Sequence, residues 1–410
     1  MSFLTATMSL FTHAIVGPGV STESRHAGRR WGRRRRRAES RAASPRAIPR
    51  EGANAQHTRW SRSCLCGQAS ATGGISAAQE NLPVHWGVKW RPQAQGADMS
   101  PVRSVHLWSA LPTPLTGELQ IDERSLERTL QSSIDAGVTG LFLGGTCGEG
   151  PWLPDRERIR LVRTAARFAQ GRLKLAVQVS DNSGPRILDN IRAAQDAGAD
   201  YGIIAPPLSM MNATEERVLD LYRSAITKSP LPMGLYDLGR GRAFAIPGER
   251  LRDIYLLPNL TLIKDSSADP ERRKLALAIR AERPELRLFC GDEFNSLEYL
   301  EAGYDGLMLG GAVVTAPMLV RMIALLQAGH RAEAQAVEQE MVALLRGIYG
   351  GKALACWLTG LKYALVVQGL FATTASFLEY PLTPECRTFI DRHFAKQPGV
   401  GLAGRVPATG

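Results

Sequence analysis

Short apolar runs alternate, from Val105 onward, with longer segments whose apolar residues recur every three or four positions. This alternation is typical of parallel strands joined by helical crossovers. It predicts eight strands, at Val105–Leu111, Gly140–Gly145, Leu173–Ser180, Tyr201–Pro206, Pro232–Leu238, Leu260–Asp265, Leu286–Cys290 and Gly306–Gly310. The predicted helices span Arg124–Asp135, Arg156–Gln170, Pro185–Ala197, Glu215–Thr227, Gly248–Leu256, Pro270–Arg283, Ser296–Ala302, Ala316–Ala328, Arg331–Tyr349 and Lys352–Gly369.

Three of these units repeat one signature where the helix passes into the next strand. The signature is Asp-Ala-Gly at 135–137 and 196–198 and Glu-Ala-Gly at 301–303, and it is typical of a helix that ends on a left-handed glycine. Eight such units in about 210 residues fit a (β/α)8 TIM barrel, which typically takes about 250. A doubly wound sheet would carry a glycine-rich phosphate loop after its first strand, whereas this chain has Leu-Pro-Thr-Pro-Leu at 111–115. We therefore predict an α/β fold, a (β/α)8 barrel over residues 101–330 with C-terminal helices over residues 331–397.

Lys264 is the candidate catalytic residue that the strand pattern indicates. It lies near the end of the sixth strand, and because strands alternate their faces it shares an apolar face with Leu260 and Leu262. Burying a lysine in charged form is costly, and the neutral amine is the form that attacks a carbonyl. The alternative is an edge lysine whose stem packs on apolar side chains while its amine reaches water.

The neighbouring strand ends favour chemistry, because the active site of a TIM barrel lies at the carboxyl ends of its strands. Tyr236 ends the fifth strand beside Lys264, and Thr146 follows the second strand, so a phenol and a relay hydroxyl can move protons there. The alternative for Tyr236 is a core aromatic side chain. The glycine-rich run 144–150 can present backbone N–H groups to an anion. Within it, Cys147 has an alternative role as a nucleophile, although no histidine lies among the predicted strand ends to activate it.

Taken together, these stretches resemble the dihydrodipicolinate synthase / N-acetylneuraminate lyase family of Schiff-base aldolases, over about Val105 to Phe394. The matching stretches are Gly145-Thr146-Cys147-Gly148-Glu149 for the family's G-[ST]-T-G-E loop, Leu235-Tyr236-Asp237 for its L-Y-N strand end, Ile263-Lys264-Asp265-Ser266-Ser267 for its lysine strand, Gly303-Tyr304-Asp305-Gly306 with Gly310 for its eighth-strand turn, and Gly360-Leu361-Lys362-Tyr363-Ala364-Leu365 for the start of its last helices.

The resemblance implies that Lys264 forms an imine with a 2-oxo acid, usually pyruvate, and that Tyr236 shuttles protons. It implies that Thr146 and the residue at position 147 hold the substrate carboxylate. The substrate-binding residues that we predict are Gly145, Thr146, Cys147, Arg240, Arg242 and Met308. Because the imine forms on the lysine itself, we expect no cofactor and no metal. We interpret Asp292-Glu293 as an acidic pair at a helix N-terminus, with cation binding as the alternative.

Three stretches depart from the family's pattern. Cys147 replaces the usual threonine, and a thiol donates a weaker hydrogen bond than a hydroxyl. Leu208-Ser209 replaces an aromatic pair from which, in the synthases, one ring completes a proton relay across a subunit interface. The run 238–243 replaces a proline-serine-arginine-threonine-glycine run, so Arg240 and Arg242 are out of step with the arginine that binds the second substrate's carboxylate. Each is either a bidentate carboxylate ligand or a solvated loop residue.

The leading hypothesis is a Schiff-base lyase, an aldolase or a dehydratase, that acts on a 2-oxo acid such as pyruvate or a 2-keto-3-deoxy sugar acid. The alternative within the family is 4-hydroxy-tetrahydrodipicolinate synthase, an enzyme of lysine biosynthesis. An alternative of another class is a barrel that binds a 2-oxo acid without turnover. We expect a cytoplasmic homo-oligomer, a dimer or a tetramer, with no membrane partner and no nucleic-acid partner.

The N-terminal residues 1–100 form a basic tail of a different composition. Residues 1–99 carry 15 Lys and Arg against 5 Asp and Glu, a net charge of +10, whereas the whole chain carries +11. The tail has no apolar periodicity, so we predict that it is disordered. It is a nucleic-acid or anionic-surface arm, a transit peptide, or upstream sequence read from a start codon set too early. We favour the last, because Met99 lies six residues before the first predicted strand.

The six cysteines are dispersed, and no run approaches the roughly 18 apolar residues of a membrane span. Cys64 and Cys66 are too close together for a zinc site, and the other four are single. This cysteine usage is typical of a reducing compartment.

Overall fold

The computed structural model describes residues 105–395, and the predicted basic tail lies outside them. Eight parallel strands close into a barrel in chain order, which confirms the predicted TIM barrel. The strands are β1 (His106–Ser109), β2 (Gly140–Leu143), β3 (Lys174–Gln178), β4 (Tyr201–Ile204), β5 (Met233–Asp237), β6 (Leu260–Asp265), β7 (Arg287–Cys290) and β8 (Gly306–Leu309). Each lies within its predicted range, since a buried apolar run between turn signals marks a strand directly.

Helices alternate with these strands and continue beyond the barrel. They are α1 (Glu123–Asp135), α2 (Asp155–Ala169), α3 (Gly184–Asp196), α4 (Glu215–Lys228), α5 (Leu251–Tyr255), α6 (Pro270–Glu282), α7 (Ser296–Glu301), α8 (Ala312–Gln327), α9 (Arg331–Ile348), α10 (Trp357–Val367) and α11 (Pro384–Ala395). Three differ from prediction. Helix α8 begins at Ala312 and holds Pro317 inside it, α10 begins at Trp357 instead of Lys352, and α11 was not predicted.

The barrel interior is packed with side chains up to the level of the predicted mouth. Its buried cluster comprises Trp108, Ala110, Phe142, Ala176, Ile203, Ala205, Tyr236, Leu262, Phe289 and Met308. Within the barrel, the Trp108 ring lies 4.9 Å from the Phe289 ring and 5.8 Å from the Tyr201 ring, measured between centroids. These packed side chains make the interior a core and not a pore.

The strand bearing Lys264 is irregular, which corrects one prediction. Leu262 packs in the barrel interior as expected, but Leu260 belongs to the outer cluster between strands and helices. The cause is a register shift: Met233 pairs with Leu260, whereas the next residue, Gly234, pairs with Leu262. Strict alternation of faces therefore fails at Thr261, whose hydroxyl donates to the Met233 carbonyl at 3.1 Å.

A buried ion pair ties the loop after β2 to the C-terminal helices. Glu149, on that loop, accepts a short hydrogen bond from the Lys362 ammonium of α10, and both side chains are fully buried. Glu149 also accepts from the Ser376 hydroxyl (2.8 Å) and the Phe377 N–H (2.6 Å), and Lys362 also donates to the Ala375 carbonyl (2.6 Å). The polar groups of the pair are thus well satisfied, and burial lowers the pKa of Lys362.

We predict that Lys362→Met lowers the free energy of unfolding by about 3–5 kcal/mol, because it leaves Glu149 buried and without its cation. Equilibrium unfolding in urea measures this change. The control is Lys174→Met, which removes a pair with Asp200 whose side chains are 58% and 31% exposed, and it should cost less than about 1 kcal/mol. Equal effects of the two variants would show that burial of the Lys362 pair is unimportant.

Candidate active site

Lys264 and Tyr236 lie side by side at the carboxyl ends of β6 and β5, as the sequence predicted. They are register partners across the two strands, and they are 4% and 7% exposed. The Lys264 Nζ lies 4.1 Å from the centroid of the Tyr236 ring and 4.9 Å from that of Phe142. Among the described residues, no carboxylate lies within ion-pair distance of this amine. The amine is therefore enclosed by aromatic faces instead of being held by an anion.

The loop after β2 passes over Phe142 at the mouth. Gly144 has a φ of 63° and Glu149 one of 55°, and these left-handed residues turn the chain twice within six positions. A side chain at Gly145 would meet the Phe142 ring, so this glycine lets the loop approach the barrel closely. The Thr113 hydroxyl donates to the Gly148 carbonyl at 2.6 Å and fixes the loop to the end of β1.

Thr146 and Cys147 are half-buried at the top of this loop. The Cys147 Sγ lies 2.5 Å from where a Cβ would stand on Gly310, so the thiol occupies the space left by this glycine after β8. Burial raises the pKa of Cys147 to about 12; the negative charge of Glu293 also raises it, whereas Lys264 opposes the shift. A thiol so disposed stays protonated, which argues against the nucleophile alternative.

The two candidate arginines of the loop after β5 differ in environment. Arg240 is 65% exposed, and its Nε lies 2.8 Å from the Asp269 Oδ2. Arg242 is half-buried; burial lowers its pKa, and the nearby phenols of Tyr236 and Tyr380 oppose that shift. Arg242 therefore belongs to the electrostatic surroundings of Tyr236, whereas Arg240 pairs with a carboxylate at the start of α6.

Two positions remain: Met308, a predicted substrate-binding residue, and Leu208, a departure from the family pattern. Met308 lies on β8 in the packed barrel interior and is 0% exposed, so it contributes to the core beneath the mouth and not to its accessible surface. Leu208 lies on the loop after β4 and is 64% exposed. No aromatic side chain lies between 205 and 213, so within this chain that loop brings no phenol to Tyr236.

Glu293 lies three residues before α7 and also faces the segment after β8. Its carboxylate accepts from the Gly311 N–H and the Tyr349 hydroxyl, both at 2.7 Å. Burial raises its pKa, and the hydrogen bonds and the charge of Lys264 oppose that shift. Asp292 makes only local contacts, accepting from the Phe294 N–H at 3.0 Å and the Asn295 amide at 2.8 Å. The two neighbouring carboxylates therefore have different partners: those of Asp292 are local, whereas those of Glu293 lie on other segments.

Two further residues of the site were not predicted. Tyr380, on the segment between α10 and α11, packs its ring edge-on against Trp357 at 5.5 Å and interacts electrostatically with Arg242 and Cys147. Gln178 follows Ala176 on the interior face of β3, and its amide oxygen is buried without a hydrogen-bond partner among the described residues. The alternation of faces along β3 would have predicted that the Gln178 side chain faces the barrel interior. No local sequence pattern predicts the position of Tyr380.

Comparisons with known proteins point to one family. The model of the dihydrodipicolinate synthetase family matches residues 103–387. The 4-hydroxy-tetrahydrodipicolinate synthase 2 of Streptomyces coelicolor is 28% identical over 278 residues, which cover 68% of this chain and 90% of that protein. Two solved structures share the fold. The Acinetobacter baumannii dihydrodipicolinate synthase complexed with pyruvate has a TM-score of 0.63 at 22% identity, covering 72% of this chain and 98% of that one. CdNal of Clostridium difficile, in complex with mannosamine, has a TM-score of 0.63 at 20% identity, covering 72% and 99%.

We predict that Cys147 resists alkylation in the folded protein. At pH 8 a thiol with a pKa of about 12 has on the order of 10³-fold less thiolate than a free cysteine of pKa about 8.5. Iodoacetamide labelling followed by peptide mass spectrometry should therefore modify Cys147 slowly in buffer and fully in urea. Cys147→Ser should retain most turnover. Rapid labelling together with loss of activity in the serine variant would establish a nucleophilic cysteine.

Proposed function

Because the chain belongs to the dihydrodipicolinate synthetase family, we propose that it is a lyase that binds a 2-oxo acid as an imine on Lys264. The observation that carries the proposal is the register pairing of Lys264 with Tyr236, which sets the amine 4.1 Å from the phenol ring centroid. The substrate class is pyruvate-like, with 2-keto-3-deoxy sugar acids as the longer members. This chemistry requires no metal and no bound cofactor, because the lysine itself forms the covalent intermediate.

The reaction begins when the Lys264 amine attacks the C2 carbonyl and water leaves, which forms a protonated imine. The imine withdraws the electron pair of the C3–C4 bond, so that bond breaks, the C4 fragment leaves as an aldehyde, and an enamine remains. Tyr236, with the Thr146 hydroxyl as relay, removes the proton of the C4 hydroxyl and returns a proton to C3. Water then hydrolyses the imine and releases pyruvate.

The carboxylate next to C2 binds the loop after β2. The Thr146 hydroxyl makes no hydrogen bond to another described side chain or backbone group, so it remains available to the substrate. Backbone N–H groups at Gly145 and Cys147 supplement it, which offsets the weak donor strength of the Cys147 thiol. Arg242, half-buried beside Tyr236 and Tyr380, serves the distal end of the substrate.

The second candidate function is 4-hydroxy-tetrahydrodipicolinate synthase, the activity for which the Streptomyces coelicolor relative is named. Two features of this chain oppose it. The exposed Leu208 replaces the expected aromatic ring, and the loop 238–247 lacks the arginine position of the synthases. We therefore rank cleavage or dehydration above condensation.

Assembly and location are further parts of the proposal. We propose a homo-oligomer, a dimer or a tetramer, because the apolar residues Leu208 and Met211, on one loop, are 64% and 87% exposed. Among the described residues, no helix is long and apolar enough to cross a bilayer. The four cysteines of the described part are free, which supports the proposed cytoplasmic location.

The imine is tested by trapping. Pyruvate plus borohydride should add one reduced adduct per chain at Lys264, which intact-mass and peptide mass spectrometry detect, and Lys264→Ala should show none. An adduct on another lysine, or none with several 2-oxo acids, would refute the imine mechanism.

Tyr236→Phe is the matched control for that experiment. It keeps the ring that contacts the amine but removes the hydroxyl, so it should trap pyruvate normally while turnover falls by about 10²–10⁴-fold. Turnover close to that of the parent enzyme would assign the proton transfer to another group.

Substrate choice is tested with a panel of 2-keto-3-deoxy sugar acids and 4-hydroxy-2-oxo acids, run beside the condensation of pyruvate with aspartate semialdehyde. Cleavage or dehydration should be faster than condensation. Arg242→Ala should lower kcat/KM by about 10–100-fold for substrates with a second carboxylate, because a charge-assisted hydrogen bond is lost. The exposed Arg240→Ala should change it less than about threefold. Dominant condensation that one arginine variant abolishes would favour the synthase.

A further inference from the structure

The loop 238–247, which carries Arg240 and Arg242, is anchored by one buried ion pair, Asp237–Arg272. We propose that this pair is a positioning device: it fixes both ends of the loop and so sets the Arg242 guanidinium over the mouth. The proposal rests on the function proposed above, in which Arg242 binds the distal end of the substrate. It assigns a task to Asp237, which stands where the family motif has asparagine.

Asp237 anchors the beginning of the loop. It directly follows Tyr236 on β5 and is buried, and its Oδ1 accepts from the Gly239 N–H at 2.9 Å. The Arg272 Nη1 contacts both of its oxygens, at 2.7 and 2.8 Å, and the Tyr255 hydroxyl lies 3.3 Å from Oδ2. Gly239 has a φ of 78°, so the loop turns sharply at the residue that Asp237 holds.

Arg272 anchors the end of the loop. Its side chain is 2% exposed, and its Nη2 donates to the Ile246 carbonyl at 2.6 Å. One guanidinium therefore connects the last residue of β5 to the far end of the loop. Asp269 adds a third attachment, because its Oδ2 lies 2.8 Å from the Arg240 Nε and 3.8 Å from the Arg272 Nε.

A contribution to folding stability does not by itself explain why the Asp237–Arg272 ion pair is buried here. Replacing a buried ion pair with apolar side chains of similar volume is often neutral or stabilising. The contacts of this pair, however, reach the loop backbone at Gly239 and Ile246, which apolar side chains could not bind. Between these two anchors lies Arg242, so the pair limits where the guanidinium can stand. Misplacing a substrate-binding group by about 1 Å costs up to about 10²-fold in rate.

The test replaces both charges together, in Asp237→Asn/Arg272→Met, so that no buried charge is left unpaired. The probes are a five-carbon 4-hydroxy-2-oxo dicarboxylate and its counterpart with a methyl group in place of the distal carboxylate. For the dicarboxylate, kcat/KM should fall by about 10–100-fold, mainly through KM. For the methyl counterpart it should change less than about threefold, because Arg242 has no charge to bind there.

The matched control is Arg280→Met/Asp305→Asn. Arg280 lies on the same helix, α6, and its Nη1 donates to the buried Asp305 at 3.0 Å, but this pair lies at the amino end of β8, the opposite end of the barrel. The control should leave both substrates unchanged. If it shifts KM for the dicarboxylate equally, or if the Asp237 variant affects both substrates alike, the positioning role is refuted.

Arg272→Lys provides a second variant in case the double variant does not fold. It keeps the buried positive charge, but an ammonium lacks the planar fork that reaches Asp237 and the Ile246 carbonyl together. KM for the dicarboxylate should rise at least about threefold; an unchanged KM in a folded Arg272→Lys enzyme would overturn the proposal. Borohydride trapping of pyruvate separates the two hypotheses. No adduct in the parent enzyme refutes the proposed function, whereas normal adducts with unchanged KM values refute only the positioning role.

Discussion

The arrangement of the mouth depends on burying the Lys264 amine without pairing it. Among the described residues no carboxylate lies within ion-pair distance of this amine, which stands between the faces of Tyr236 and Phe142. Room for it comes from its neighbours: a Cβ on Gly291 would stand 2.9 Å from the Lys264 Cε. Trp108 against Phe289 belongs to the packed barrel interior, and Lys264 lies at the carboxyl end of β6, where the strand ends of a barrel form its mouth.

Two buried ion pairs hold the loops that surround this amine. Glu149–Lys362 ties the loop after β2 to α10, and Asp237–Arg272 ties the loop after β5 to α6. Asp237 directly follows Tyr236 on β5, and Glu149 lies on the loop that carries Thr146, whereas both basic partners come from helices. The C-terminal helices are therefore part of the site's support, because α10 supplies Lys362 and the segment after it supplies Tyr380 beside Arg242.

The sequence permits prediction of the parts of the site that are set by strand periodicity. Each strand was found within its predicted range, and Lys264, Tyr236 and the loop after β2 lie together because strand ends converge in a barrel. Periodicity does not predict contacts between segments that are distant in the chain, such as Glu149 and Lys362, which are 213 residues apart. It also does not place Tyr380, which lies on a segment without helix or strand. The bulge at Thr261 was missed for a related reason, since register depends on the neighbouring strand. The two arginines could be distinguished only once Asp269 was placed.

Two of the three departures from the family pattern concern groups that the resemblance assigns to a proton relay or to a second substrate. Leu208 replaces an aromatic ring, and the loop 238–247 moves the arginine. The third, Cys147, weakens one donor at the carboxylate of the first substrate. The residues proposed for the imine chemistry, Lys264, Tyr236 and Thr146, match the family pattern. Under that proposal, imine formation depends on these matching residues, whereas the choice of reaction partner depends on the altered loops after β4 and β5. A site that retains the first and alters the second is suited to breaking a bond in one bound 2-oxo acid, and it is less suited to joining two molecules.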